Sequence, residues 1–415
     1  MQWRCAFAQW NAFDRPFDDT SDLFLRVSPS YVAGTAGRTS SPFSSRLALP
    51  RWARIIALAA TSWIAFLFMS LLSFDRATAD GGAELRSVLA RDGWVLVRGV
   101  VTEAEARAWG AQLKEFIGSL SHGGDSSWVQ DCIFEGFGAG HATPCWEARL
   151  HSRVRAVFAA LWQTSQLVTS VDAFCAERPR DRARSAEEAV ELHLDQNVFR
   201  ESFDAVQGAL SLSATRQDTG GTTVVGGSHA HASRLLRERF AGELGEQELN
   251  PSLNWHVLSP QARKCLLDTP GCQLVHVETE PGDLMLWDSR TVHCGRKARA
   301  PQPHDAWRLA IYICMWPATR LTPEHRAAKQ RALGLGPDGT PSSSERAETT
   351  THWPDGRELK PRYGWPADGS APACERPPQA VSDGVLCAPA CARTPEALRL
   401  AGVLPYDEEE PWVLV

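Results

Sequence analysis

Between residues 189 and 316 the chain breaks into short strand-like runs: AVELHLDQNVF (189–199), VQGALSLSAT (206–215), GTTVVGG (221–227), CQLVHVET (272–279), DLMLWDS (283–289) and RLAIYICMW (308–316). Gly and Pro punctuate them, as at Gly220-Gly221 and Pro281-Gly282, and such punctuation marks turns. Upstream the pattern differs. DGWVLVRGV (92–100) alternates as a strand. Thr102 and Glu105 then form a T-x-x-E capping box for a helix with Trp109, Leu113, Phe116, Ile117 and Leu120 on one face. A second amphipathic helix is predicted near 147–162, with the stripe Leu150, Val154, Val157, Phe158 and Leu161. Helices first and many short strands later predict a mainly β fold, a sandwich or barrel with flanking helices.

The folded domain is expected over 82–330. Residues 331–415 hold 12 of the 26 prolines and read as an irregular C-terminal arm. Residues 1–54 read as a tail or targeting segment. From Ile55 to Phe74 no charged residue occurs. As a helix this run is about 30 Å long, the thickness of a bilayer core. It is expected to be a single transmembrane anchor. Arg46, Arg51 and Arg54 before it place the domain on the lumenal side, with an organelle-targeted or soluble chain as the alternative. A mean hydropathy of -0.26 excludes a polytopic membrane protein. A net charge of -6 argues against a nucleic-acid partner.

Chemistry concentrates at His193-Leu194-Asp195. On a strand, residues i and i+2 point to one face, so the imidazole and the carboxylate converge while Leu192 and Leu194 face away. His293, in DSRTVHCG, is the third candidate. Two His and one carboxylate leave coordination positions open, which is the facial triad of non-haem Fe(II) oxygenases, where O2 and a co-substrate must both bind. Arg308, at the start of RLAIYICM, shares a face with Ala310 and Tyr312. A guanidinium there calls for an anion, and a carboxylate fits its planar fork. Gln207 shares a face with Ala209, Ser211 and Ser213, a set suited to the barrel interior, where Gln207 is expected to bind the cofactor or to make a structural hydrogen bond. Arg290 and Arg296 flank His293 and are read as surface ion pairs or as holders of a substrate anion, and His229 as a turn or helix-start residue.

The segments DGWVLVRGVVTEAEA, HLD, GGTTVVGGSH, PGDLMLWDSRTVHCG and RLAIYICM resemble the phytanoyl-CoA dioxygenase family of Fe(II)- and 2-oxoglutarate-dependent oxygenases, over about residues 86–330. The resemblance implies a double-stranded β-helix, a jelly-roll or cupin-like barrel. It implies iron at His193, Asp195 and His293, 2-oxoglutarate at Arg308, and O2 as co-substrate. The expected reaction hydroxylates a small organic molecule and releases succinate and CO2. Halogenases of the same superfamily replace the carboxylate ligand by a small residue, so Asp195 speaks against halogenation. Gly226-Gly227-Ser228-His229 stands where the family usually has Pro-Gly-Ser-His. Two other readings stay open: a non-catalytic barrel used for binding, and a cupin-like metal enzyme that needs no anion clamp at Arg308.

Overall fold

The computed structural model describes residues 70–119, 139–178, 191–245, 254–296, 306–333 and 389–406, with the short pieces 129–130, 133–134, 353–354, 381–382 and 385–386 and the single residues 298, 303 and 335. The chain divides into Met1–Ile56, outside the described residues, and Ala57–Val415, which holds every element below.

The strands are β1 (Leu71–Ser73), β2 (Trp94–Arg98), β3 (Val129–Gln130), β4 (Ile133–Phe134), β5 (Leu167–Thr169), β6 (Phe174–Glu177) and β7 (His193–Leu194), followed by β8 (Val206–Ser211), β9 (Gly221–Gly226), β10 (His256–Val257), β11 (Gln273–Val277), β12 (Leu284–Asp288), β13 (His293–Arg296) and β14 (Arg308–Pro317). They build two sheets. The major one runs β1-β2-β12-β8-β14-β6-β4-β3, with β5 on β14, and the minor one runs β10-β7-β13-β9-β11. Trp94, Leu96, Ala209, Met285 and Trp287 of the major sheet share one buried cluster with Val224, Val275 and Val277 of the minor sheet. Two sheets face to face with helices outside is the double-stranded β-helix the sequence led us to expect. Among the described residues the sheets do not merge into a closed barrel.

Period-2 alternation explains the layering. On β14, Leu309, Ile311 and Ile313 turn outward and bury against Val154, Val157 and Phe158 of helix Ser152–Trp162 and Leu113 and Phe116 of helix Glu103–Ser119. The capping box forms as expected: the Glu105 amide donates to Thr102 Oγ1 at 3.2 Å, and the Thr102 amide donates to Glu105 Oε2 at 2.9 Å. The predicted second helix is two, Thr143–Leu150 and Ser152–Trp162, because His151 is extended (φ -60°, ψ 126°). Its ring sits edge-on to Trp109 at 5.9 Å, which is where the break directs it. The minor sheet is backed in the same way. Leu192, Leu194, Val225 and Val292 bury against Leu236 of helix Ala232–Arg239 and Leu266 of helix Pro260–Leu267. Near the C-terminus, helix Pro395–Leu400 and its flanks cover Trp146 and Val171, and the Tyr406 hydroxyl donates to the Leu167 carbonyl at 2.6 Å.

The transmembrane expectation for Ile55–Phe74 is corrected here. Residues 55–69 lie outside the described residues, but the end of the run is no membrane helix. Leu71–Ser73 is a strand hydrogen-bonded in parallel to β2, with Leu71 opposite Leu96 and Ser73 opposite Arg98. Ser73 then caps the short helix Phe74–Thr78. Ser70 donates to Asp92 at 2.7 Å, buried. The apolar residues at this end belong to the sheet edge and core of the fold. No helix among the described residues is long and apolar enough to cross a membrane, so the anchor and the lumenal placement derived from it are withdrawn.

Gly282 shows how tightly the major sheet is closed at one corner. Its φ is +95°, and a Cβ there would lie 2.2 Å from the Val101 carbonyl oxygen. Gly282→Ala should therefore cost at least about 1–3 kcal/mol, from the left-handed backbone alone. Urea denaturation should show a lower midpoint with an unchanged slope. An unchanged midpoint would mean that this corner relaxes freely.

Candidate metal centre

His193 and His293 come from adjacent strands of the minor sheet and stand directly opposite each other in the register of β7 and β13. Their ring centroids are 4.6 Å apart. Asp195 lies just past the end of β7, so the strand is shorter than the sequence pattern suggested, yet its carboxylate still turns to the face that carries His193. His293 Nε2 is 3.2 Å from Asp195 Oδ2 and His193 Nε2 is 3.6 Å from Asp195 Oδ1. Asp195 and His293 are buried, while His193 keeps about a fifth of its side chain open to solvent.

The tautomers follow from the other ring nitrogens. His193 Nδ1 is 2.8 Å from the Glu191 carbonyl oxygen, and His293 Nδ1 is 2.9 Å from the Thr291 carbonyl oxygen. A carbonyl can only accept, so in the neutral rings each Nδ1 carries the proton and each Nε2 presents a lone pair. Two lone pairs and a carboxylate oxygen then face one another in a largely dry place. That arrangement is repulsive unless a cation lies between them. The three donor atoms all lie within 4.8 Å of one another. First-row divalent ions hold such donors at about 2.0–2.2 Å, which puts neighbouring ligands about 3 Å apart, close to the spacing found. The residues present fit a divalent transition metal.

Gln207 reaches this group from the opposite sheet. Its Nε2 donates to Asp195 Oδ2 at 2.7 Å. The Trp287 ring packs 5.1 Å from His293. Both residues lie on inward faces of the major sheet, where β12 pairs β8 with Trp287 opposite Gln207.

Arg308 is buried on the inward face of β14. It stands close to Gly295, which shares the face of His293 two residues further along β13. A Cβ built on Gly295 would meet only Arg308 Nη1, at 4.0 Å. The strand surface between His293 and Arg308 is therefore bare. A small cleft adjoins Arg308, lined in part by Ala209, Ser211, Met285 and Ala310. Sequence reasoning missed the residue opposite Arg308 in the β6–β14 register, Glu177. Its Oε2 is 3.9 Å from Arg308 Nη1. Only long-range strand pairing places that carboxylate here, and no local motif announces it.

The weaker candidates are accounted for within the fold. Arg290 forks onto Asp288 at 2.9 and 2.6 Å, and this hydrogen-bonded partner raises its pKa. Arg296 follows Gly295 on β13, opposite Gly221. His229 lies in the turn Ser228–Ala230 and bonds the Ala90 carbonyl at 3.1 Å. Ahead of it, Gly227 has φ +77°, and a Cβ would meet the Gly271 oxygen at 2.2 Å.

With this geometry in view, comparison with known proteins is decisive. The family model described as "Phytanoyl-CoA dioxygenase (PhyH)" matches residues 89–306. The chain belongs to the phytanoyl-CoA dioxygenase family. It is an oxygenase, and its cofactors are iron and 2-oxoglutarate. It is 29% identical to "Ava biosynthesis cluster protein O" of Aspergillus versicolor over 238 residues, which cover 55% of this chain and 75% of that protein. The fold is similar to that of GlcNAc Inducible Gene 2 of Candida albicans, with a TM-score of 0.53, 12% identity and 86% of each chain covered. The epimerase SnoN, solved in complex with Fe3+, alpha ketoglutarate and nogalamycin RO, is 18% identical with a TM-score of 0.37, over 59% of this chain and 84% of that one.

Burial pushes the thiol of Cys294, next to His293, up to about 12. At pH 8 only about one such thiol in 10,000 is ionised. Iodoacetamide at pH 8 should leave Cys294 unmodified in the native protein and alkylate it after denaturation, as read by peptide mass spectrometry. Rapid native alkylation would show that β13 opens readily beside the metal centre.

Proposed function

We propose that His193, Asp195 and His293 bind the iron, that Arg308 holds the distal carboxylate of 2-oxoglutarate, and that the enzyme hydroxylates a small organic substrate with release of succinate and CO2. The observation that carries this reading is the convergence of one donor atom each from His193, Asp195 and His293, all within 4.8 Å of one another. Three protein donors on one side leave the remaining positions of an octahedral ion for 2-oxoglutarate and O2. When bound, the iron and 2-oxoglutarate supply the oxidising chemistry.

The chain's own residues supply position and charge. The carbonyls of Glu191 and Thr291 fix both imidazoles in the ligating tautomer. Gln207 fixes the rotation of the Asp195 carboxylate. The bare surface at Gly295 supports a small diacid there. Two residues of strand cover about 6.6 Å, comparable with a five-carbon chain between the metal and a guanidinium. Asp195 fills the position that a halide ligand would require, which supports hydroxylation over halogenation. The match to a biosynthesis cluster protein supports a small-molecule substrate.

Two outcomes test the reading. Anaerobically purified wild-type protein should bind about one Fe(II) per chain, and His193→Ala and His293→Ala should each abolish stoichiometric binding. Unchanged iron content in both variants would refute the ligand assignment. Arg308→Ala should raise the dissociation constant for 2-oxoglutarate by roughly 10- to 150-fold, the equivalent of one charged hydrogen bond of about 1.5–3 kcal/mol. Arg308→Lys keeps the charge without the fork and should lose less. The measurement is titration of the Fe(II) protein under argon, following the metal-to-ligand charge-transfer band. Iron content should stay at the wild-type level in both Arg308 variants. Wild-type affinity in Arg308→Ala would move the clamp elsewhere.

A further inference from the structure

Glu177 is fully buried, and among the described residues neither of its carboxylate oxygens has a hydrogen-bond partner. Buried carboxylates ordinarily collect two or more donors, because an unsatisfied one is costly. The feature that compensates here is the guanidinium of Arg308. At 3.9 Å it is beyond hydrogen-bond reach but well within Coulomb range. Cys175 precedes Glu177 on the same inward face of β6, in a cluster with Ala310 and Tyr312. Glu177 therefore belongs to the inner wall that carries Arg308, and it acts on Arg308 as a charge and not as a hydrogen-bonding brace.

We propose that Glu177 is a built-in rival anion that sets the affinity of the Arg308 site for 2-oxoglutarate and for other small dicarboxylates. This rests on Arg308 holding the distal carboxylate. The charges make the case. A divalent ion with Asp195 leaves one net positive charge, and Arg308 with Glu177 adds none. The incoming diacid carries two negative charges. With Glu177 neutralised, the site would match the dianion in full. With Glu177 ionised, the ligand must share Arg308 with a carboxylate whose charged partner among the described residues is Arg308 itself. Glu177 thus weakens dicarboxylate binding, and it does so for the product succinate as well as for the co-substrate, since both keep the distal carboxylate. A site built this way releases its product more readily than one with an uncontested arginine.

The sign separates this proposal from a structural ion pair. If Glu177 merely held Arg308 in place, removing its charge would loosen the guanidinium and weaken 2-oxoglutarate binding. If it competes, Glu177→Gln should bind 2-oxoglutarate about tenfold more tightly, the size of a unit-charge interaction across about 6 Å at an effective dielectric constant near 40. Glu177→Asp, which keeps the charge, should stay within about threefold of wild type by the same reasoning. The experiment titrates 2-oxoglutarate, and separately succinate by competition, into the anaerobic full-length Fe(II) proteins, again by the charge-transfer band. A gain in affinity for both ligands in Glu177→Gln is expected, and a damaged fold would not produce it. Unchanged or weaker binding in Glu177→Gln, with Arg308→Ala weakened as above, overturns this inference alone. Wild-type affinity in Arg308→Ala overturns it together with the clamp on which it rests.

Discussion

Everything at this site depends on one electrostatic constraint: two imidazole lone pairs and a carboxylate share a space too small and too dry for them to coexist without a cation. The constraint is imposed by backbone carbonyls. The Glu191 and Thr291 carbonyls each take the Nδ1 proton of the histidine two residues later. The same local device is thus used twice, on two strands. It needs no side-chain partner, so it is as rigid as the strand ends that carry it. Moving the ring proton from Nδ1 to Nε2 would relieve the repulsion without a metal. Here the carbonyls oppose that relief at both rings.

The two sheets divide the work. The minor sheet carries the donors, and its β7–β13 pairing sets His193 against His293. The major sheet contributes residues that touch those donors from across the core, Gln207 on Asp195 and Trp287 on His293. Because β8 and β12 are interior strands of the sheet, with Leu210, Leu284 and Leu286 buried in the core under the helices, these contacts rest on a buried part of the molecule. Arg308 lies on β14, which pairs with β8 on one side and β6 on the other. Arg308 and the Gln207 contact are therefore fixed by the same three-strand unit, and a shift of one would disturb the other.

Much of this was legible in the sequence, because alternation is a local property. The inward set Arg308, Ala310 and Tyr312, the outward Leu309, Ile311 and Ile313, and the opposed faces of His193 and Leu194 all follow from period 2. The capping box at Thr102 is equally local, a T-x-x-E motif read from four consecutive residues. The helix break at His151 was not legible, since the apolar stripe continues through it and only packing against Trp109 marks the turn. The run before Phe74 misled for a related reason. An uncharged apolar stretch has the same composition whether it enters a bilayer or a sheet edge. What distinguishes them here is the pairing of Leu71 with Leu96 and the buried bond from Ser70 to Asp92, both set by residues outside the run.

Glu177 marks the deeper limit. Its own neighbourhood in sequence, FCAERPR, reads as a strand running out into a charged loop, where a glutamate is expected to meet water. Burial reverses that expectation only because the β6–β14 register brings Arg308 opposite it. Register between strands so far apart in the chain is decided by the whole sheet: by Phe174 and Ala176 packing outward, and by Cys175 packing inward against Ala310. A one-residue slip would put Glu177 among the outward apolar residues and leave Arg308 facing Ala176 or Arg178. The same packing that makes the core thus determines the charge beside Arg308, and that charge cannot be read from the H-x-D motif alone.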